Sequence, residues 1–290
     1  MLKVKITGAS GFLGKAISAE LKNKGFEVSG IERKLIYGSK ENFAKELENA
    51  DVIINLAGAP ILQRWTSRKK KLIYESRVRT TRNLVNAINS LPKEKQPEKF
   101  ISASAIGIYK SGLFHDENST NFDDGFVGIV VKDWETASNE LSPAIQKNIF
   151  RIGLVLGKNA KTIKNLILPF KLGFGAAIGS GKQPFPFVHE KDVIRAFVWA
   201  VENLDKNGTF NLVAPQNISN KEFTKSLAKA VNRPAIFSIP NFILKLVLGE
   251  AAVLLTESPA VEPKKLMEEG FEFNFPKLDG ALREILNKES

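Results

Sequence analysis

Three features of the sequence predict an α/β fold, a doubly wound parallel sheet with a smaller C-terminal α/β lobe. Short apolar runs alternate with helix-period segments through the first half, the pattern that parallel strands with crossover helices require. A glycine-rich turn lies between the first run and the first helix. After Gly157 the pattern changes: Gly173, Gly175, Gly179, Gly181, Pro184 and Pro186 crowd into one segment, which must be rich in loops.

The elements follow in order. Lys3 to Thr7 sets Val4 and Ile6 against Lys3, Lys5 and Thr7, which reads as a strand and not as a leader peptide. Gly11 to Lys24 places Leu13, Ile17 and Leu21 on one helical face and stops at Gly25. A strand over Phe26–Ile31, a helix over Lys40–Asn49 and a buried strand over Val52–Leu56 come next. Trp65–Ser90 reads as one long helix, followed by a strand at Phe100–Ala103, a helix over Val127–Ile145 and a strand over Ile149–Leu156. Beyond the loop-rich segment come a helix from Glu190 to Glu202, a strand near Thr209–Val213 and a helix capped by Ser219 that runs to Val231. An apolar helix near Phe242–Thr256 and a short one after Leu278 close the chain. This divides the chain into a dinucleotide-binding domain over 1–156, with 183–205 packing back on it. The smaller substrate-side lobe comprises 157–182 and 206–290.

Composition excludes several classes. With 290 residues and 43% hydrophobic content the chain is long and apolar enough to bury its own core. It has no cysteine, so it has neither a thiolate nucleophile nor cysteine-ligated zinc, and this suits a reducing cytoplasm. His115 and His189 are the only two histidines, too few for a multi-histidine metal site, so no metal is expected. The apolar stretch Phe242–Thr256 is interrupted by Lys245 and Glu250 and is too short to span a bilayer. The net charge of +11 comes mostly from scattered lysines. Only Arg68-Lys69-Lys70-Lys71 forms a run, without interleaved aromatics, so neither nucleic acid nor membrane is expected as a partner. The expected partner is a small molecule, and nothing in the sequence decides the oligomeric state.

The strongest motif is Thr7-Gly8-Ala9-Ser10-Gly11-Phe12-Leu13-Gly14. Glycines at 8, 11 and 14 allow a tight turn, close approach of backbone to a pyrophosphate, and close helix–strand packing. The helix start then offers free N–H groups and a positive dipole end to phosphate. Strand, loop, helix and second strand stand in the order of a Rossmann-type dinucleotide site. Glu32 ends the second strand where a carboxylate would bond both ribose hydroxyls and favour NAD(H). Arg33 and Lys34 follow at once and would pair with a 2′-phosphate.

The spacing G-x-x-G-x-x-G resembles the short-chain dehydrogenase/reductase superfamily in its extended form. Further stretches narrow the resemblance: Asn55-Leu56-Ala57-Gly58-Ala59-Pro60-Ile61, Arg64-Trp65-Thr66, Ser76-Arg77 with Thr81, Ser102 to Tyr109, Asp133-Trp134-Glu135, Arg151 to Gly157, and Phe187-Val188-His189 with Asp192. As a set they are similar to the atypical extended branch described as predicted nucleoside-diphosphate-sugar epimerases, which carries its own C-terminal domain; residues 239–285 resemble it. The resemblance implies NADP(H) rather than NAD(H). It implies contacts from the backbone of Ser10, Gly11, Phe12 and Leu13 to the pyrophosphate and from Arg33 to the adenosine side. Ala57 and Gly58 would pass under the cofactor, and Arg77 would occupy the place of an asparagine. Ser102, Ala103, Ile152 and Gly153 would lie near the nicotinamide.

The superfamily's usual chemistry pairs a tyrosine with a lysine four residues on, whose charge lowers the phenol pKa. Four residues after Tyr37, Tyr74 and Tyr109 come Glu41, Val78 and Leu113. Setting the register from Glu135 puts the lysine position at Val131, the tyrosine position at Val127 and the usual serine position at Ala105. The triad is therefore missing, and no catalytic residue is assigned. His189, in a segment that approaches substrate in similar proteins, is the one titratable candidate, set against a plain helix start. His115 reads as surface. Two functions compete: an oxidoreductase or epimerase with another acid–base group, and a non-catalytic NADP(H)-binding sensor or assembly factor. The segment Gly173 to Gly181, able to close over a ligand, favours the enzyme.

Overall fold

The computed structural model describes residues 1–158, 160 and 167–286. Positions 159, 161–166 and 287–290, which belong to the stretches assigned above to the substrate-side lobe, lie outside the described residues. The chain opens with strand β1 (Lys3–Thr7), helix α1 (Phe12–Asn23) and strand β2 (Glu27–Ile31). Two helices, α2 (Arg33–Ile36) and α3 (Lys40–Leu47), lead to β3 (Val52–Asn55). Helices α4 (Ser67–Tyr74) and α5 (Thr80–Asn89) flank a π-helical segment, Glu75–Arg79, before β4 (Lys99–Ala105). Then come β5 (Phe114–His115), α6 (Phe126–Asn139), β6 (Gln146–Ile152), β7 (Leu154–Leu156), a helical stretch at 167–171 (α7) and β8 (Ala176–Ile178). The remainder runs β9 (Phe187–His189), α8 (Glu190–Glu202), β10 (Gly208–Leu212), α9 (Asn220–Ala230), β11 (Phe237–Ile239) and α10 (Asn241–Leu248). It ends with α11 (Val253–Thr256), β12 (Ala260–Val261), α12 (Lys264–Glu268) and α13 (Leu278–Ile285).

Six strands form one parallel sheet in the order β10-β6-β4-β3-β1-β2. The pleat divides its side chains between two cores. Val52, Ile54 and Ile101 join Ile17 and Leu21 of α1 and Val193, Ala196 and Phe197 of α8 on one face. Ile53 and Phe100 join Phe43, Leu47, Leu84, Val85 and Ile88 on the other. Strand β3 is buried throughout, as a central parallel strand covered on both faces must be. The helix starts are fixed locally. Ser39 Oγ accepts the Asn42 N–H, Thr66 Oγ1 accepts the Lys69 N–H, and Ser219 with Glu222 forms a reciprocal capping box.

The structure departs from the sequence reading at several places, among them the apolar helix expected near Phe242–Thr256, which is split into α10 and α11 around Gly249 (φ +61°). The helix expected from Trp65 to Ser90 is interrupted by the π-helical segment. The helix expected to Ile145 ends at Asn139, because Pro143 disfavours helix in the preceding residue and the Ser142 N–H bonds Asn89 Oδ1 (2.9 Å) instead. The strand expected over Ile149–Leu156 breaks at Gly153, where a Cβ would lie 2.6 Å from the Pro186 carbonyl oxygen, and β7 pairs with β9. Finally β10, placed by sequence in the smaller lobe, is the edge strand of the main sheet, paired with β6 in register from Gly208↔Asn148 to Leu212↔Ile152. Its Phe210 packs beside Phe150, with centroids 5.9 Å apart. Buried Lys99 secures that edge from below: its ammonium donates to the carbonyls of Asn203 and Lys206, both at 2.6 Å, and burial pushes its pKa down to about 8.

Candidate functional site: a glycine cradle over an apolar floor

Strand β1 has β2 on one side and β3 on the other, so the chain reverses its direction of travel across the sheet there. The crevice outside the carboxyl ends of such strands is where open α/β sheets bind ligands. The glycine loop occupies it. Gly8 has φ +70°, and a Cβ there would meet the Leu56 carbonyl oxygen at 2.9 Å. A Cβ on Gly14 would lie 2.2 Å from the Gly8 carbonyl oxygen. The Gly11 N–H closes the turn on that same oxygen at 2.9 Å. Helix α1 then begins without a side-chain cap or an acidic residue in its first turn, so the N–H groups of Phe12, Leu13 and Gly14 face outward without intrahelical acceptors. Ser10, Gly11 and Phe12 are exposed. The geometry is that of an anion cradle, and a pyrophosphate fits its charge and its lack of side chains.

A buried polar network fixes the strand ends below the loop. Thr7 Oγ1 donates to Asn55 Oδ1 (2.7 Å) and accepts the Leu56 N–H (3.2 Å). Asn55 Nδ2 donates to Thr81 Oγ1 (2.7 Å) and Ser102 Oγ (3.3 Å). Ser102 is thereby committed beneath the crevice, 1% exposed. Ala105 pairs with Ile152 across β4 and β6, which brings Ala103, Ile152 and Gly153 to the carboxyl ends of neighbouring strands.

Arg77 lies beside Gly58, at whose position a Cβ would approach the guanidinium carbon to 3.2 Å. Its guanidinium sits over the Trp134 ring at 5.6 Å and donates to the Ile73 carbonyl at 3.3 Å. Among the described residues no carboxylate pairs with it. Partial burial pushes its pKa down to about 10, so it is charged at neutral pH, a half-buried cation without a carboxylate partner among the described residues.

Beyond β2 lies an open cleft of about 530 Å³ lined by Arg33, Lys34, Tyr37, Leu72, Glu75 and Arg79. Arg33 and Arg79 hold their guanidinium carbons 5.6 and 5.5 Å from the Tyr37 ring centroid. The Glu32 carboxylate pairs with Lys34 at 2.8 Å. Sequence reasoning missed Arg79, which lies in the π-helical segment, and no local pattern announces such a segment.

The positions that would carry the acid–base pair lie in an apolar cluster. Val127, Val131 and Ala105 pack with Ile106, Ile108, Tyr109, Phe122, Val213 and Val261. Glu135, Arg151, Ser104 and Tyr109 nearby are already paired. Arg151 holds Glu135 through two bonds, Nε to Oε1 (2.8 Å) and Nη2 to Oε2 (2.7 Å). Ser104 Oγ donates to Glu135 Oε1 at 2.6 Å. The Tyr109 hydroxyl accepts from Arg151 (2.7 Å) and donates to Asn211 Oδ1 (2.8 Å), and burial raises its pKa above the ordinary phenol value.

Both histidines are structural. His189 is fully buried and serves as the N-cap of α8. Its Nδ1 accepts the Lys191 N–H (3.2 Å), so Nε2 carries the proton and donates to Glu284 (3.0 Å). His115 is not on the surface as expected but 1% exposed, stacked on Tyr109 with centroids 4.7 Å apart; the β5–β12 pairing covers it. Among the described residues no cluster of His, Cys, Asp or Glu could hold a metal ion, and no helix is long and apolar enough to cross a membrane.

Comparison with known proteins places this geometry. The profile of the NAD dependent epimerase/dehydratase family matches residues 4–126. The chain is 33% identical over 297 residues to the epimerase family protein SDR39U1 of Bos taurus, covering 98% of this chain and 100% of the relative. The chain belongs to the NAD-dependent epimerase/dehydratase family. In this family member, residues 239–285, from the end of β11 to the end of α13, match DUF1731, a domain of unknown function. The crystal structure of human SDR39U1 (isoform 2) with NADPH superposes with a TM-score of 0.91 at 31% identity, covering 99% of this chain and 100% of that one. A nucleoside-diphosphate sugar epimerase from Corynebacterium glutamicum superposes at 0.79 and 27% identity, covering 99% of this chain and 59% of that one.

Proposed function

We propose that this family member binds NADP(H) at the glycine cradle and acts as an oxidoreductase or epimerase on a small molecule, with nucleotide sugars the first class to try. The observation that carries the cofactor reading is the pairing of a side-chain-free cradle at Gly8 to Gly14 with the uncompensated Arg77 cation beside Gly58. The bound nicotinamide would supply hydride transfer, and the chain's own residues supply grip and orientation. Phe12, Leu13 and Gly14 offer N–H groups to the pyrophosphate. Arg77 offers charge to an anionic or hydroxyl-rich part of the ligand. Arg33 lies on the side where the adenosine ribose is expected. The nucleoside-diphosphate sugar epimerase among the structural neighbours supports the substrate class, and the absence of cysteine supports work in a reducing compartment such as the cytoplasm.

A second reading has its own observation. Val127 and Val131, packed in an apolar cluster, leave the usual proton-transfer position without a titratable group. This favours an NADP(H)-binding sensor or assembly factor. Calorimetry with NADPH, followed by absorbance of the reduced nicotinamide against a panel of sugar nucleotides and small carbonyls, separates the two. Steady oxidation with any substrate supports the enzyme. Binding without turnover across the panel supports the sensor, and no binding removes both.

A further inference from the structure

We propose that Arg79 is a second specificity-determining residue for the cofactor, sharing the adenosine 2′-phosphate with Arg33 and thereby setting the preference for NADPH over NADH. The inference rests on the reading of the chain as an NADP(H) binder. Four observations carry it. Arg79 closes the π-helical segment Glu75–Arg79, and such insertions turn side chains away from the face a regular helix would give them, often at functional sites. Arg77 in the middle of that segment serves the Gly58 side, while Arg79 reaches the cleft beyond β2. There it and Arg33 both lie against one ring, Tyr37. The Tyr37 hydroxyl is tied to Thr80 Oγ1 at 2.7 Å, so the ring is a fixed post against which both guanidinium groups rest.

Charge decides what the cleft takes. Neither Arg33 nor Arg79 pairs with a carboxylate among the described residues, whereas Lys34 is engaged by Glu32 at 2.8 Å. Counting Arg33, Lys34, Lys71 and Arg79 against Glu32 and Glu75, each carboxylate paired with a lysine, the region carries two net positive charges; without Arg79 it carries one. A phosphate monoester carries about −1.5 to −2 charges at pH 7. Arg33 alone, beside the Glu32 carboxylate, leaves that dianion under-compensated. A second guanidinium restores an attractive site and adds forked donors suited to phosphate oxygens. A ribose 2′-hydroxyl gains nothing comparable, so the effect is confined to the phosphorylated cofactor.

The test uses the full chain and calorimetric affinities for NADPH and NADH in wild type, Arg79→Gln, Arg79→Lys and Arg33→Gln. Arg79 is exposed, so the variants should fold, and thermal melts check this. Arg79→Gln is expected to lower the NADPH-to-NADH affinity ratio about tenfold to a hundredfold with NADH affinity unchanged, and Arg79→Lys to recover part of it. A wild type that binds both cofactors equally overturns the NADP(H) reading and this inference together. A wild type that prefers NADPH, with an Arg79→Gln variant that keeps the ratio, overturns this inference alone; a melting shift without a change in ratio would then show that Arg79 only packs on Tyr37.

Discussion

Replacing Gly14 with alanine separates the fold from the cradle. The new Cβ would lie 2.2 Å from the Gly8 carbonyl oxygen, 2.8 Å from Ala9 Cα and 2.9 Å from the Gly8 carbonyl carbon. All three are backbone atoms, so no side chain can swing aside. Restoring ordinary contact requires α1 and the loop to part by roughly 1 Å, an overpacking that costs about 1–3 kcal/mol. Alanine in a helix recovers about 1 kcal/mol relative to glycine. The net loss of stability is thus about 0–2 kcal/mol, and Gly14→Ala should remain folded. Binding has no such offset. The Gly11 N–H bond to Gly8 and the N–H groups of Phe12 and Leu13 move together, and a displacement of about 1 Å costs on the order of a hundredfold in a site that depends on geometry. Urea unfolding should show the small change, and calorimetry a loss of NADPH affinity of about a hundredfold. Gly11→Ala, whose Cβ would meet the Gly8 oxygen at 3.1 Å, should lose far less. A folded Gly14→Ala protein that binds NADPH as tightly as wild type would refute the cradle.

Three further outcomes follow from the same geometry. Arg77→Met should weaken NADPH binding about tenfold to a hundredfold without lowering the melting temperature, since it removes a half-buried cation that no carboxylate among the described residues pairs; a melting loss with unchanged affinity would make Arg77 a packing residue. Lys99→Met should cost about 2–4 kcal/mol in urea unfolding, because it orphans the Asn203 and Lys206 carbonyls, and leave NADPH affinity unchanged, since Lys99 stands at the amino end of β4. Burial holds the His189 pKa below the ordinary 6.5, so below that pH the unfolded chain binds the extra proton first. Its contribution is complete above pH 6.5 and is lost as pH falls through the lower folded value. A stability–pH profile for His189→Gln should be flatter than wild type from pH 6.5 to 5; parallel profiles would contradict this.

The binding half of the site was legible because its signals are local. Gly8, Gly11 and Gly14 announce a backbone that must come close to something, and the apolar run Val52–Asn55 announces a strand buried on both faces. What was not legible depends on long-range partners. Edge strand β10 looks no different from a strand of a separate lobe until Phe210 meets Phe150. His115 sits among charged neighbours in sequence, yet β12, about 145 residues later, covers it. The π-helical segment leaves no periodic trace, so Arg79 went unseen although Arg77, two residues away, was singled out. His189 carried an ambiguous signal, and only Glu284 and the Lys191 N–H, which engage both ring nitrogens, decide it.

The absence of the tyrosine–lysine pair was legible too, but its meaning needed the structure. Two valines at exposed positions would have left room for a ligand's own acid or base. Instead a Cβ on Gly107 would come within 2.6 Å of Val127 Cγ1, and Val131 is 3% exposed against Val213 and Val261. Behind them the Glu135–Arg151 pair, with Ser104 and Tyr109, is closed in bonds of 2.6–2.8 Å. A phenol at position 127 would displace this packing, and an ammonium at 131 would be buried among apolar side chains. The floor is thus built around the valines, not vacated by a tyrosine and a lysine. These two positions hold no proton-transfer group, so one for any turnover would have to lie elsewhere along the crevice, and the loop 57–66, whose Trp65 packs with Ala251 of the C-terminal segment, is the first place to look.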